Sequence, residues 1–372
     1  MLHSLYSSVS YRARSTNIFP VFALAFLAFC LLFTGCTTTA PATSGAATPA
    51  VAAGNADACL GNCTVGSGVQ NVRLFVEPEA GDHVITDAIA GAKKSVWVEM
   101  YLLTNRNVIN ALEEAAHRGI DTRVMLETHP YGGGPISPTE TMDRLRAAGV
   151  QVKSDNPQFS LTHAKVMIID GKTAYIMTCN LTLSALGGSK STRNREYGII
   201  DTNPQDVQAV IDIFNADWNR TSVQINNPNL VVSPINSRHF FKTLINSARK
   251  TLLVEAEEMF DQDIAQTLAD AAQRGVQVRV ILPAPRNGEK DDNKEGIDTI
   301  KRGGVQVRED ARLYMHAKMM VVDGQRAFIG SQNISGASLD GNRELGIIVA
   351  DRTVLATLQR TFQQDWSDSR AV

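Results

Sequence analysis

The sequence predicts an α/β protein of two similar lobes related by a pseudo-twofold axis, and three observations carry that expectation. A stretch from Leu161 to Thr182, LTHAKVMIIDGKTAYIMTCNLT, returns from Tyr314 to Ser335 as YMHAKMMVVDGQRAFIGSQNIS. One gapless shift lays His163 on His316, Lys165 on Lys318, Asp170 on Asp323 and Asn180 on Asn333. The duplication reaches further, since AAHRGIDTRVML is echoed by AAQRGVQVRVIL and NREYGII by NRELGII. Around these segments β-branched runs alternate with amphipathic ones, the pattern of a sheet covered by helices. A chain of 372 residues with 44% hydrophobic content is long enough to bury two cores of ordinary size.

The chain divides in order. Residues 1–36 form a leader: Arg12 and Arg14 with no acid up to Asn17, then the apolar run IFPVFALAFLAFCLLFTG. Basic flank, apolar centre and small residues before a cut describe a secretory signal. Its end, Phe33-Thr34-Gly35-Cys36, resembles the lipobox of bacterial lipoproteins, which implies acylation of Cys36. An uncleaved membrane anchor is the alternative, because the run is close to the roughly 17 to 20 residues a spanning helix needs. Either way the expectation is a protein held on the outer side of a membrane. Residues 37–70 read as a tether, rich in Thr, Ala, Pro and Gly up to Ala58, with a reach on the order of 25 Å. Within it Cys59 and Cys63 suggest a small disulfide loop in an oxidising compartment, ahead of a metal site, since no His or second cysteine pair follows nearby.

Residues 71–222 are expected to form the first lobe and residues 223–372 the second. The first runs strand VRLFVEP, helix DHVITDAIAGA, strand KSVWVEMYLL, helix NRNVINALEEAAHRG, strand DTRVMLE and helix SPTETMDRLRAAG, then the repeated stretch, EYGIID and a helix. The second runs helix INSRHFFKTLINSAR, strand KTLLVEAEEM, helix QDIAQTLADAAQRG, strand VQVRVIL and helix DNKEGIDTIKRGG, then the second copy, ELGIIVAD and a terminal helix. Asp170-Gly171 and Asp323-Gly324 sit between two apolar runs each and read as hairpin turns.

In a strand, residues i and i+2 share a face, so each copy presents an imidazole beside an ammonium. Glu196 and Glu344 follow at matching places, giving each copy a set of His, Lys, Asn and Glu. Brought together across a twofold interface, two such sets suit a tetrahedral anion and supply too few acids for a hard-metal cage. Lys165 and Lys318 would neutralise non-bridging oxygens while Asn180 and Asn333 orient them. One imidazole attacks phosphorus and the other gives a proton to the leaving alcohol, so the two need opposite charge states. The lysines are expected to lower the imidazole pKa values, and Glu196 and Glu344 to orient the rings and choose the tautomer.

His-x-Lys, an Asp five residues after the Lys, and Gly330, Ser331 and Asn333 at the end of the next strand resemble the phospholipase D superfamily. The first copy departs at Met177 and Thr178 and keeps Asn180. The resemblance implies a duplicated fold of mixed sheets flanked by helices. It also implies metal-independent phosphodiester chemistry through a phosphohistidine, with no cofactor. By that resemblance His163 is the nucleophile, His316 the general acid, Ser331 and Thr178 help hold the phosphate or a water, and Asp170 and Asp323 support the fold.

A formal charge of −2 and a pI near 6.4 give no electrostatic footprint for a polyanion. With the tether, this favours phospholipid at a membrane surface as substrate, the protein acting as a monomer because both lobes lie in one chain. An exported nuclease acting on DNA or RNA is the second reading and a non-catalytic binding module the third. Glu196 and Glu344 could instead be strand ends paired with Arg195 and Arg343. Glu99, Tyr101 and Glu255 could line the cleft or the lobe interface. Cys179 reads as a buried inert thiol, Met315, Met319 and Met320 as core, and Tyr131 to Gly134 as a loop.

Overall fold

The computed structural model describes residues 64–131, 137–285 and 290–372. The leader with Cys36, the Cys59 and Cys63 pair, and Gly132 to Gly134 lie outside the described residues. No helix among the described residues is long and apolar enough to cross a membrane.

In chain order the first half contains β1 (Arg73–Glu77), α1 (His83–Gly91), β2 (Ser95–Met100), α2 (Arg106–His117), β3 (Asp121–Leu126), α3 (Pro138–Ala147), β4 (Gln151–Ser154), β5 (Lys165–Ile169), β6 (Thr173–Met177), β7 (Asn194–Asp201) and α4 (Pro204–Asn219). The second half contains β8 (Leu230–Ser233), α5 (Ser237–Ser247), β9 (Thr251–Glu255), α6 (Gln262–Gln273), β10 (Gln277–Pro283), α7 (Lys294–Arg302), β11 (Gln306–Asp310), β12 (Tyr314–Met315), β13 (Met319–Val322), β14 (Arg326–Gly330), α8 (Gly336–Asp340), β15 (Glu344–Val349), α9 (Arg352–Asp368) and β16 (Arg370–Ala371). Strands β4, β8 and β11 were not expected from the sequence.

Both halves build the same mixed sheet. The first runs β1-β7-β6-β5-β2-β3-β4 and the second β8-β15-β14-β13-β9-β10-β11, with β16 added at its edge. In each, three strands pair in parallel through helical crossovers and the remainder pair antiparallel. The crossover helices repeat their local logic. Asn105 caps α2 by accepting from the amides of Asn107 and Val108, and Asp261 caps α6 by accepting from Ile264. Each then buries one apolar stripe, Val108, Ile109, Leu112 and Ala115 in α2 and Ile264, Ala265, Leu268 and Ala271 in α6. Truncating fully buried Leu112 to Ala would cost about 2–5 kcal/mol.

Helices cover the outer faces, over cores that include Ile85, Val98 and Leu112 in the first half and Phe240, Val280 and Leu268 in the second. A third apolar cluster joins the halves: Ile176 and Ile199 of the first sheet pack in one core with Val232, Met319, Ile329 and Ile347 of the second. The sheets therefore meet on a dry face.

The two hairpins have the expected turns. Asp170 and Gly171 adopt φ of 55° and 63°, Asp323 and Gly324 of 52° and 67°, the left-handed pair a two-residue hairpin demands. Each aspartate also fastens a neighbouring loop. Asp170 accepts from the amides of Lys93, Lys94 and Ser95, and Asp323 from those of Arg249, Lys250 and Thr251. Those three-fold contacts hold both carboxyls below the usual range against the opposing effect of burial. Both residues thus act at the start of β2 and β9, in turns of the fold.

Candidate active site

The two repeats are brought together by backbone pairing between the halves. β12, just ahead of His316, runs parallel to the start of β7, with Tyr314 opposite Asn194 and Met315 opposite Arg195. The mirror contact joins Thr162 to Arg343, where the His163 amide donates to the Arg343 carbonyl at 2.9 Å. Each histidine segment therefore lies beside the other half's Asn-Arg-Glu segment. The arginines lock this register. Arg195 Nε is 2.6 Å from Asp365 on α9, and Arg343 donates to Asp217 on α4 at 2.9 Å. Removing one partner of such a buried pair costs about 3–5 kcal/mol. Arg195 and Arg343 are thus occupied with aspartates, and the adjacent glutamates are free for the histidines.

The glutamates reach across. His163 Nδ1 lies 2.9 Å from both carboxylate oxygens of Glu344, and His316 Nδ1 lies 2.8 Å from Glu196 Oε1. The sequence assigned one glutamate to each repeat, but the structure gives each histidine the glutamate of the other repeat. Both glutamates are fully buried and both imidazoles are 8% exposed. A carboxylate on Nδ1 fixes the ring and leaves Nε2 facing the space between the halves.

Lys165 Nζ donates to the His163 carbonyl at 2.7 Å, and Lys318 Nζ to the His316 carbonyl at 2.6 Å. Asn180 and Asn333 sit nearby, each over nine-tenths buried with Oδ1 unpartnered. Burial pushes the His163 imidazole below its ordinary value, with Glu344 opposing and Lys165 and Lys318 assisting. Burial thus outweighs the lysines as the cause. The same desolvation brings Lys165 down to about 7, opposed by Glu344. Glu344, pushed up by burial, is held below the usual range by His163 and Lys165.

A position close to the histidines differs between the repeats. After β2 the chain places Tyr101, whose ring packs edge-on at 4.5 Å from His163 and lies 5.3 Å from Lys165 Nζ. At the matching place after β9 stands Glu257, 2.7 Å from Lys318 Nζ and 3.3 Å from His316 Nε2. Burial raises the Glu257 carboxyl, but His316 and Lys318 outweigh it and hold the group well below the carboxylate range, with His163 contributing. Among the described residues His163 Nε2 has no protein partner, whereas His316 Nε2 faces a carboxylate. Glu257 was not a candidate from the sequence, because it stands where the repeats disagree.

Two expectations are corrected. Thr178 and Ser331 were expected against the phosphate, yet both are fully buried with their donor capacity spent. The Thr178 hydroxyl donates to Glu196 Oε2 at 2.6 Å and accepts from the Tyr197 amide. Ser331 exchanges bonds with Leu345 and helps hold Glu344 below the carboxylate range. They support the glutamates from behind. Of the residues left open, Tyr101 reaches the site, whereas Glu255 bonds Tyr197 at 2.7 Å across the halves. Cys179 is buried, its thiol pushed up by that burial, and Met315, Met319 and Met320 are core.

Comparison with known proteins agrees with this geometry. The family described as "Cardiolipin synthase, PLD-like domain" matches residues 85–218 and 241–366. A probable cardiolipin synthase of Bacillus subtilis is 23% identical over 80% of this chain and 66% of its own length. Cardiolipin synthase B of Escherichia coli K12 is 25% identical over 77% of this chain and 78% of its own. Among solved structures, a phosphatidylserine synthase of Haemophilus influenzae superposes with a TM-score of 0.64 at 12% identity, over 82% of this chain and 88% of that one. A polyphosphate kinase of Porphyromonas gingivalis gives 0.62 at 17%, over 78% and 46%. Two half-sites crossed by their own glutamates, on a duplicated mixed sheet that this family matches in both halves, make the chain a member of the phospholipase D superfamily.

Proposed function

We propose that this protein transfers the phosphatidyl group of a phospholipid from one head-group alcohol to another, without a metal ion, through a phosphohistidine. The observation that carries the reading is the pair of crossed His–Glu contacts beside two buried lysines. His163 Nε2, neutral and unpartnered, attacks phosphorus as the bond to the leaving oxygen breaks, and His316 Nε2 gives that oxygen its proton. In the second step His316 takes the proton of the incoming hydroxyl, whose oxygen displaces His163 from phosphorus. Glu257 faces His316 Nε2 at 3.3 Å and leaves His163 Nε2 as the ring nitrogen open to phosphorus, which supports the assignment. Lys165, Lys318, Asn180 and Asn333 would hold the non-bridging oxygens.

The names of the relatives support phospholipid as substrate and an alcohol as acceptor, and the low exposure of the imidazoles favours an acceptor other than bulk water. Attachment through Cys36 would keep the site at a membrane surface. A head-group panel in vesicles, assayed in EDTA with and without added glycerol, tests the reading. Head-group release with glycerol-dependent formation of a new phospholipid is expected. DNA cleavage in the same buffer with inert vesicles, or activity that needs an added metal, would contradict it. Replacing Cys36 with Ala should move the protein from the membrane fraction to the soluble one.

A further inference from the structure

Glu257 occupies the place of an anion. Its Oε2 lies 2.7 Å from Lys318 Nζ, 3.3 Å from His316 Nε2 and 3.4 Å from Asn333 Nδ2, and its Oε1 accepts from the Tyr314 hydroxyl at 3.1 Å. Lysine, histidine and asparagine are the donors assigned above to the phosphodiester in this half. A carboxylate offers them the same pattern of two oxygens sharing one negative charge. Tyr101, at the matching position, leaves the first half without such an occupant.

We infer that Glu257 is a resident stand-in for the phosphodiester, filling the anion half-site of the second repeat until substrate displaces it. This rests on the phosphodiester reading of the site. Buried cations without a counter-ion are costly, and Lys318 is 2% exposed. A tethered carboxylate gives buried Lys318 a counter-ion while the site is empty. It is also a competitor at high effective concentration, so every incoming anion binds more weakly than the donors alone would allow.

The test is equilibrium binding of inorganic phosphate to the full chain and its variants by titration calorimetry at pH 6.5. Glu257→Asp keeps the charge but is one methylene too short to reach all four donors, whereas Glu257→Gln removes the charge. Both are expected to bind phosphate at least about tenfold more tightly than the native protein, and Lys318→Met in either background to abolish that gain. Tightening in Glu257→Gln alone would reduce Glu257 to a long-range field and overturn the inference, as would equal affinities throughout. If no form binds phosphate, the phosphodiester reading falls first and the inference with it. Glu257→Asp retains a counter-ion for Lys318, which keeps the test valid should Glu257→Gln fail to fold.

Discussion

The two halves of the site share a backbone, a His-x-Lys strand and a crossed glutamate, yet they are not equivalent. The first half sets an aromatic ring beside His163 and Lys165, and the second sets a carboxylate between His316 and Lys318. A symmetric pair of imidazoles has no reason to split into nucleophile and acid. In the proposed mechanism one substituted position, Tyr101 against Glu257, leaves His163 Nε2 open to phosphorus and sets a carboxylate at His316 Nε2. The halves share a duplicated frame and diverge at that position.

The largest expected effect breaks the comparison outright. Replacing His163 or His316 with Ala should each lower turnover by on the order of 10⁴-fold or more, because neither half takes over the other's role. Steady-state assay with thermal melts to confirm folding checks this. Substantial activity in either variant would contradict a shared site.

Next come the crossed glutamates. Glu344→Gln and Glu196→Gln should each cost about 10²- to 10⁴-fold. A substrate with a p-nitrophenyl leaving group, which needs little acid assistance, separates them. Because Glu344 serves His163, Glu344→Gln should lose the burst of p-nitrophenol. Because Glu196 serves His316, Glu196→Gln should keep it. Glu344 raises the His163 pKa, so its loss should also move the acidic limb of the rate profile to lower pH. The reverse pattern would mean that each glutamate serves its own repeat.

A smaller effect concerns pH. Burial places Lys165 at about 7, so its ammonium is present below that value and lost above it. Anion binding should therefore weaken as pH rises past 7, by roughly tenfold per unit at the limit. Lys165→Arg should flatten that limb, since a guanidinium stays charged. A flat profile in the native protein would remove Lys165 from the anion site.

The smallest effects should be the same in both halves. Asp170→Ala and Asp323→Ala each lose three amide contacts and place Ala at positive φ. Denaturant melts should show a loss of about 1–3 kcal/mol with turnover nearly unchanged. A collapse of activity in a folded variant would place these aspartates in the chemistry.

Much of this was legible beforehand, and for local reasons. The repeated His, Lys and Asn keep their spacing, and Asp-Gly between apolar runs encodes a turn through backbone sterics alone. The exchange of Glu196 and Glu344 was not legible, because it follows from β12 pairing with β7, a contact between residues more than a hundred positions apart. The placing of Thr178 and Ser331 rested on the resemblance alone, which does not show that their hydroxyls turn to Glu196 and to Leu345. Glu257 was not legible from the matches between the repeats, because it stands where they differ. The signal was there in VEMYLL against VEAEEM, where Glu257 replaces tyrosine two places beyond the shared Glu99 and Glu255, just past the ends of β2 and β9.

Alkali-stable capture of the covalent intermediate addresses the division of roles most directly. Native enzyme quenched in alkali during turnover of ³²P-labelled phospholipid, then digested and mapped, should carry label on the peptide containing His163 and none on that containing His316. The His316→Ala variant should accumulate that label. Label on His316, or on both histidines equally, would contradict an asymmetry set by Glu257.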